Sequence, residues 1–138
     1  MSKNMLRATA LVVVAVPILS IANAGLASAY PAPTVEAGRG RIQVTAVPAI
    51  DLVGCQANYD GGAWSPGFGA GDNHSTLFEN VPAGSHEVWV ACMSTMNTVA
   101  SFGPTVVDVT AANPMLDAAD KALAGAGSSA LTTDPTLK

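Results

Sequence analysis

The chain has 138 residues, of which only 12% are Asp, Glu, Lys or Arg, with six basic residues against ten acidic ones. A chain of this length allows one small domain beyond any targeting segment. Lys and Arg do not cluster and the balance is negative, so the sequence offers nothing to neutralise a phosphate backbone or an anionic lipid surface, which excludes nucleic acid as a partner class.

At the start of the chain Lys3 and Arg7 precede an uncharged, mainly apolar run from Ala8 to Ile21, the charged and apolar regions of a signal peptide. The run falls short of the roughly 20 apolar residues that a membrane-spanning helix requires. Two small-x-small sites follow, Ala22-Asn23-Ala24 and Ala27-Ser28-Ala29, and the second stands directly before Tyr30-Pro31. Residues 1–29 are therefore read as a signal peptide of bacterial type, with cleavage after Ala29 favoured over Ala24. The mature chain is expected to be secreted, extracellular or associated with the cell envelope, with no stable membrane span. It keeps four basic residues, Arg39, Arg41, Lys121 and Lys138, and all ten acidic ones, a formal charge of −6.

Cys55 and Cys92 are the two cysteines of the chain. In an exported protein an even pair reads as a disulfide. No CxxC spacing or nearby ligand set supports the rival reading as reactive or metal-binding thiols. On the chain-entropy model, closing a loop of this length contributes roughly 4 kcal/mol, a large share of a small domain's net stability.

Residues 30–40 hold Pro31, Pro33, Gly38 and Gly40 and little apolar content, the composition of a flexible leader. Residues 41–47 then alternate, Ile42, Val44 and Ala46 against Arg41, Gln43 and Thr45, which predicts a first strand ended by Pro48. The stretch 50–59 predicts a second, with Val53, Cys55, Ala57 and Tyr59 on one face. From Asp60 to Ser75 five glycines and a proline leave no periodicity, so a long loop is expected, with a short strand around Trp64 left open. Residues 77–92 read as strand, tight turn, strand: Pro82 fixes φ at the turn, Gly84 can take positive φ, and Val88, Val90 and Cys92 share a face. An irregular stretch from Met93 to Pro104 leads to a last strand at 105–110. Leu116, Ala119 and Leu123 lie at helical spacing after Asn113-Pro114, with Gly125 and Gly127 ending a short helix before a disordered tail.

Five short alternating segments separated by Gly- and Pro-rich turns predict an all-β fold, a small antiparallel β-sandwich over residues 41–111 with one disulfide, followed by the helix and tail at 112–138. The expected disulfide joins strands across the core. In this Cys55 and Cys92 resemble the inter-sheet bridge of immunoglobulin-like domains. The run Phe78-Glu79-Asn80-Val81-Pro82-Ala83-Gly84-Ser85-His86-Glu87-Val88-Trp89-Val90 resembles the Phe-x-x-(Leu/Val)-Pro-x-Gly-x-(Tyr/His)-x-(Val/Leu)-x-Val signature of prealbumin-like modules, among them carboxypeptidase regulatory-like and collagen-adhesin B-type domains. The resemblance covers about a tenth of the chain and implies a fold, not an activity.

Little in the chain points to catalysis. The histidines are His74 and His86; no Gly-x-Ser-x-Gly elbow, P-loop or dinucleotide fingerprint occurs. His86 takes the place of an aromatic residue in the resembling motif and reads as structural. A metal at Asp60, Asp72 and His74 would lack the carboxylate spacing of a Ca²⁺ loop, so no metal or other cofactor is expected. Asn73-His74-Ser75 matches a glycosylation tripeptide that is frequent by chance. Strand alternation sends Trp89 to the face opposite Val88 and Val90, where it can anchor a ligand; Trp64, Phe68 and His74 in the 60–75 loop are further candidate ligand-binding residues. The leading expectation is a secreted, non-catalytic binding module for an unknown protein or envelope ligand. The alternatives are a small secreted hydrolase or metal-dependent enzyme using the 60–75 loop, and a secreted inhibitor.

Overall fold

The computed structural model describes residues 30–137, so the expected signal peptide lies outside the described residues. Six strands run in chain order, β1 (Thr34–Ala37), β2 (Arg41–Thr45), β3 (Leu52–Tyr59), β4 (Ser75–Glu79), β5 (Gly84–Ser94) and β6 (Val99–Val109), followed by helix α1 (Pro114–Gly125) and single 3₁₀ turns at Ser129–Leu131 and Pro135–Leu137. The strands form two antiparallel three-stranded sheets, β1-β2-β4 and β3-β5-β6. Alternation decides their faces. Ile42, Val44 and Ala46 from the β2 side and Cys55, Ala57, Val88, Val90 and Cys92 from β3 and β5 meet in one buried core, closed by Phe68, Val81 and Val109. Tyr59 packs edge-on against Phe78 at 5.2 Å across the two sheets.

The disulfide between Cys55 and Cys92 is present, but within one sheet and not between two. The two residues are direct register partners on β3 and β5, with Cα atoms 4.0 Å apart. Cys55 turns its own N–H and C=O away from β5, bonding them to Phe68 at 2.6 and 2.9 Å. That leaves Cys55 and Cys92 as a close, non-hydrogen-bonded pair, the type whose side chains come nearest.

The stretch read as one hairpin, 77–92, is a corner between sheets: β4 pairs with β2, and β5 pairs with β3 and β6. Val81 is buried in the core and its N–H bonds the Gly40 carbonyl at 3.0 Å, which pulls the turn across the molecule. The hairpins lie elsewhere. β5 turns into β6 through Ser94–Thr98, where the Ser94 hydroxyl bonds the Thr98 hydroxyl and receives the N–H groups of Met96 and Thr98. β6 (Val99–Val109) is correspondingly longer than the strand expected at 105–110, and absorbs the second half of the stretch read as irregular.

A second return follows β3. Asp60 and Gly61 both take positive φ, 49° and 69°, and Gly62 N–H closes on the Tyr59 carbonyl at 2.9 Å. Asp-Gly with two positive φ values is the turn that matches strand twist. The chain then runs back along the free edge of β3, Ser65 N–H bonding Ala57 O at 2.7 Å and Phe68 bonding Cys55. Residues 60–74 are thus a strap that covers an otherwise unpaired sheet edge, not a free loop.

Both ends of the domain are tied down as well. The stretch read as a leader carries β1, paired with β2 from Thr34–Thr45 to Ala37–Ile42. Helix α1 forms as expected, capped by Asn113, whose side chain accepts Leu116 N–H at 3.2 Å, with Pro114 in the first turn. The stretch read as a disordered tail instead returns to the β1–β2 connection. There the Asp134 side chain is fully buried and accepts Arg39 N–H at 2.7 Å. Gly38 makes room for it, since a Cβ at that position would sit 2.0 Å from an Asp134 oxygen.

Candidate functional site

The outer face of the β3-β5-β6 sheet carries the largest group of exposed apolar side chains on regular strands. On β5 buried and exposed residues alternate from His86 to Ser94, so Glu87, Trp89 and Met93 point outward. Register extends that face onto β6: Val106 pairs with Glu87 and Val99 with Met93, and both valines are exposed. Trp89 keeps 38% of its surface in solvent at the centre of the sheet, although an aromatic of that size usually hides more. The reason is local. Val88 pairs with Thr105 and Val90 with Phe102, so β6 sets two residues, Gly103 and Pro104, against the single Trp89 and offers it no register partner with a side chain beyond a glycine and a proline. Gly103 is required at this bulge: at φ 121°, a Cβ would lie 2.7 Å from the Val88 carbonyl oxygen.

On the β3 side, Trp89 faces Asn58 in register. Asn58 is only 6% exposed, and its Oδ1 has no hydrogen-bond partner among the described residues. Next along the face is Gln56, whose Nε2 donates to the Ser65 carbonyl of the strap at 3.2 Å. Trp64 precedes Ser65, which bonds Ala57, and is half exposed. The strap thus brings Trp64 beside β3, two backbone segments from Trp89.

The other candidate residues separate from this face. Phe68 is 2% exposed and belongs to the core, away from this face. His74 is exposed at the far end of the strap, and its backbone carbonyl receives Ala46 N–H at 2.9 Å. Asp60, the carboxylate that a metal site with Asp72 and His74 would need, is already engaged: Oδ1 accepts Glu87 N–H at 2.9 Å and Oδ2 meets His86 Nδ1 at 2.6 Å. Among the described residues no three His, Cys, Asp or Glu side chains gather as a metal-ligating group, and no helix is long and apolar enough to cross a membrane.

Two charged clusters were not legible as such in the sequence. In the first, His86 is buried on the inner side of β5, with Nδ1 on Asp60 and Nε2 on the Pro82 carbonyl at 2.8 Å. The Asp60 carboxylate, then the Pro82 carbonyl, raise the imidazole pKa against the opposing effect of burial. In the second, Arg39 Nε and Arg41 Nη2 each bond Asp117 at 2.7 Å, Arg39 Nη2 also bonds Asp120, and Arg41 Nη1 stands 3.6 Å from Asp134. Thr133 N–H and the Arg39 guanidinium lower the Asp120 pKa to about 2. Arg41 and Arg39 lower Asp117 likewise. Burial pushes Asp134 up, but bonds from Thr136 and from Arg39 N–H outweigh it and hold that carboxyl low. Each of these carboxylates is filled with donors from its own chain, so the cluster serves as a clasp between the two ends of the domain. The space beside it, about 130 Å³ between the Arg39–Arg41 segment, Glu79, Asn80 and Ala112, is well under the roughly 300 Å³ of a small-molecule pocket.

Comparison with protein-family models, with curated proteins and with solved structures returned no match.

Proposed function

We propose that this protein is a secreted, non-catalytic β-sandwich binding module whose ligand docks on the outer face of the β3-β5-β6 sheet, with Trp89 as the anchor. The observation that carries the reading is the half-open Trp89 at the centre of that sheet, flanked by exposed Met93, Val99 and Val106. Apolar faces with a central aromatic are where binding energy concentrates. Export is supported by the Lys3–Ala29 pattern and by a formed disulfide, which persists in oxidising compartments. A place outside the cell agrees with the surface charge, since two of the four basic residues of the mature chain, Arg39 and Arg41, are consumed in the clasp. In this reading the module is of the prealbumin-like kind, a kinship supported by the Phe78–Val90 motif at the corner between its sheets. The ligand is a protein or a neutral component of the envelope, because Glu87 and Asp108 rim the face and repel anions.

The test is co-sedimentation of the mature protein with washed cell-envelope fractions. The reading predicts a saturable bound fraction that Trp89→Ala reduces at least tenfold and Trp64→Ala reduces less. Unchanged sedimentation of a folded Trp89→Ala protein contradicts it.

A further inference from the structure

His86 differs from an ordinary core histidine in what its two ring nitrogens face. Nδ1 meets a carboxylate oxygen of Asp60 at 2.6 Å and Nε2 meets the Pro82 carbonyl at 2.8 Å. Both partners can only accept, so both contacts are hydrogen bonds only when both nitrogens carry protons. A neutral imidazole has a single N–H and loses one of the two. The remaining surroundings do not compensate. Tyr59 on β3 lies edge-on at 5.7 Å, and the β6 register partner is Val107. Glu87 and Asp108, the nearest other acidic groups in sequence and register, are exposed on the opposite face of the sheet. Asp60 is the carboxylate bonded to the ring.

Asp60 is also the first residue of the strap. It takes φ 49°, a conformation that costs a non-glycine residue energy and persists only where surroundings hold it. Here three bonds hold it: His86 to Oδ2, Glu87 N–H to Oδ1, and Asp60 N–H to the Glu87 carbonyl at 2.8 Å. The strap that begins at this residue carries Trp64 and covers the β3 edge beside Asn58.

We propose that His86 is a proton-operated latch for the strap: as an imidazolium it bonds the strap's root, Asp60, and the Pro82 corner at once, and on losing a proton it gives up its charge and one of the two bonds, so that the Asp60–Ser65 turn loosens. The loosening is confined to the near half of the strap, because the Phe68–Cys55 bonds and the buried Phe68 ring anchor the far half. The Asp60 carboxylate and the Pro82 carbonyl raise the imidazole pKa above its ordinary value of 6.5, so the strap is fastened below that raised midpoint and loosened above it. The strap's relevance to ligand capture rests on the binding face proposed above; the latch itself does not.

The free mature protein therefore suffices for the test. Histidine-selective ¹⁵N NMR reads the protonation of each ring nitrogen, with His74→Gln removing the signal of the other imidazole. Amide-exchange protection factors at Gly62 and Ser65, which already remove the intrinsic pH dependence, read the strap. The latch predicts N–H on both nitrogens at pH 6.5, a titration midpoint above 6.5, and protection at Gly62 and Ser65 falling at least fivefold across that midpoint. Asp60→Asn keeps the size of the side chain but not its charge, and lowers the midpoint while abolishing the pH-dependent loss of protection. A midpoint at or below 6.5, or protection that does not change across it, overturns the latch. Either result leaves the Trp89 reading standing, and failure of Trp89→Ala to affect binding leaves the latch standing.

Discussion

Asn58 pairs with Trp89, a buried amide beside a half-open indole, and the two depart from sheet convention in opposite directions. The amide oxygen has no partner where most buried acceptors have one, and such an atom costs about 1–3 kcal/mol. Asn58→Thr exchanges it for a β-branched residue suited to a strand, and thermal denaturation is expected to show equal or higher stability, by about 1 kcal/mol at most. A loss of more than that would show that the Asn58 amide makes a contact that the fold depends on. His86 gives a prediction of opposite character. Its folded pKa lies above the unfolded value near 6.5, so its contribution to stability is full below pH 6.5 and is lost as pH rises through the folded value. Melting temperatures of His86→Gln and the parent, compared from pH 6 to 9, should converge toward the alkaline end; a gap that widens with pH would contradict the sign. The sequence placed His86 in a structural role, on the strength of a motif position. It could not show Asp60 as its partner, because the two are 26 residues apart and meet only once the β3 turn lies against β5.

Among elements, α1 is unusual in burying Asp117 and Asp120 while Met115 and Leu116 stay exposed. Its docking is electrostatic, through Arg39 and Arg41; Arg39 sits in the stretch whose Pro and Gly content suggested a loose leader, and Arg41 opens the strand that follows it. Periodicity found the helix because Leu116, Ala119 and Leu123 recur at the right spacing. The same apolar pattern says nothing about a helix that docks by its acidic side. Removing Arg39 leaves Asp120 without its guanidinium and Asp134 with Arg41 alone, and loss of one partner from such a cluster is far more damaging than absence of the whole cluster. Arg39→Ala is expected to release residues 113–137, raising their amide exchange at least tenfold while β2 and β5 stay protected. Unchanged exchange in the arm would refute the clasp. Acid provides a second handle. With Asp120 lowered to about 2 and Asp117 and Asp134 also below their ordinary value, the clasp is intact above pH 3.8 and is lost as pH falls toward 2. The strap was legible in principle: Asp60-Gly61 after an alternating run is a strong hairpin signal, and the glycines beyond it masked a return strand that has too few side chains to alternate.

For the molecule as a whole, the alternation that predicted β2, β3 and the start of β5 also supplied the core, because each of those strands covers it on one side. The path between sheets was hidden in the turns. Phe78–Val90 reads locally as a hairpin, and only the burial of Val81 and its bond to Gly40 show the chain crossing from β4 into the other sheet. The same crossing moved the disulfide from between layers to within one. It joins adjacent strands, so reduction is expected to lower the denaturation midpoint by removing a constraint on the unfolded chain of up to about 4 kcal/mol, with the β3–β5 register retained in the reduced fold. Loss of β3–β5 pairing on reduction would assign the bond a larger part in specifying the fold.

With the C-terminal arm docked at the β1–β2 connection of one sheet and the other sheet open at Trp89, binding should map to the Trp89 side of the domain. Line broadening in ¹⁵N-labelled mature protein, on addition of solubilised cell-envelope material, measures this directly. The account predicts broadening of Gln56, Asn58, the Glu87–Met93 segment and β6 from Val99 to Val106, with α1 and β1 unaffected. Broadening centred on α1 and the Arg39–Asp134 clasp, or none at all, would contradict it.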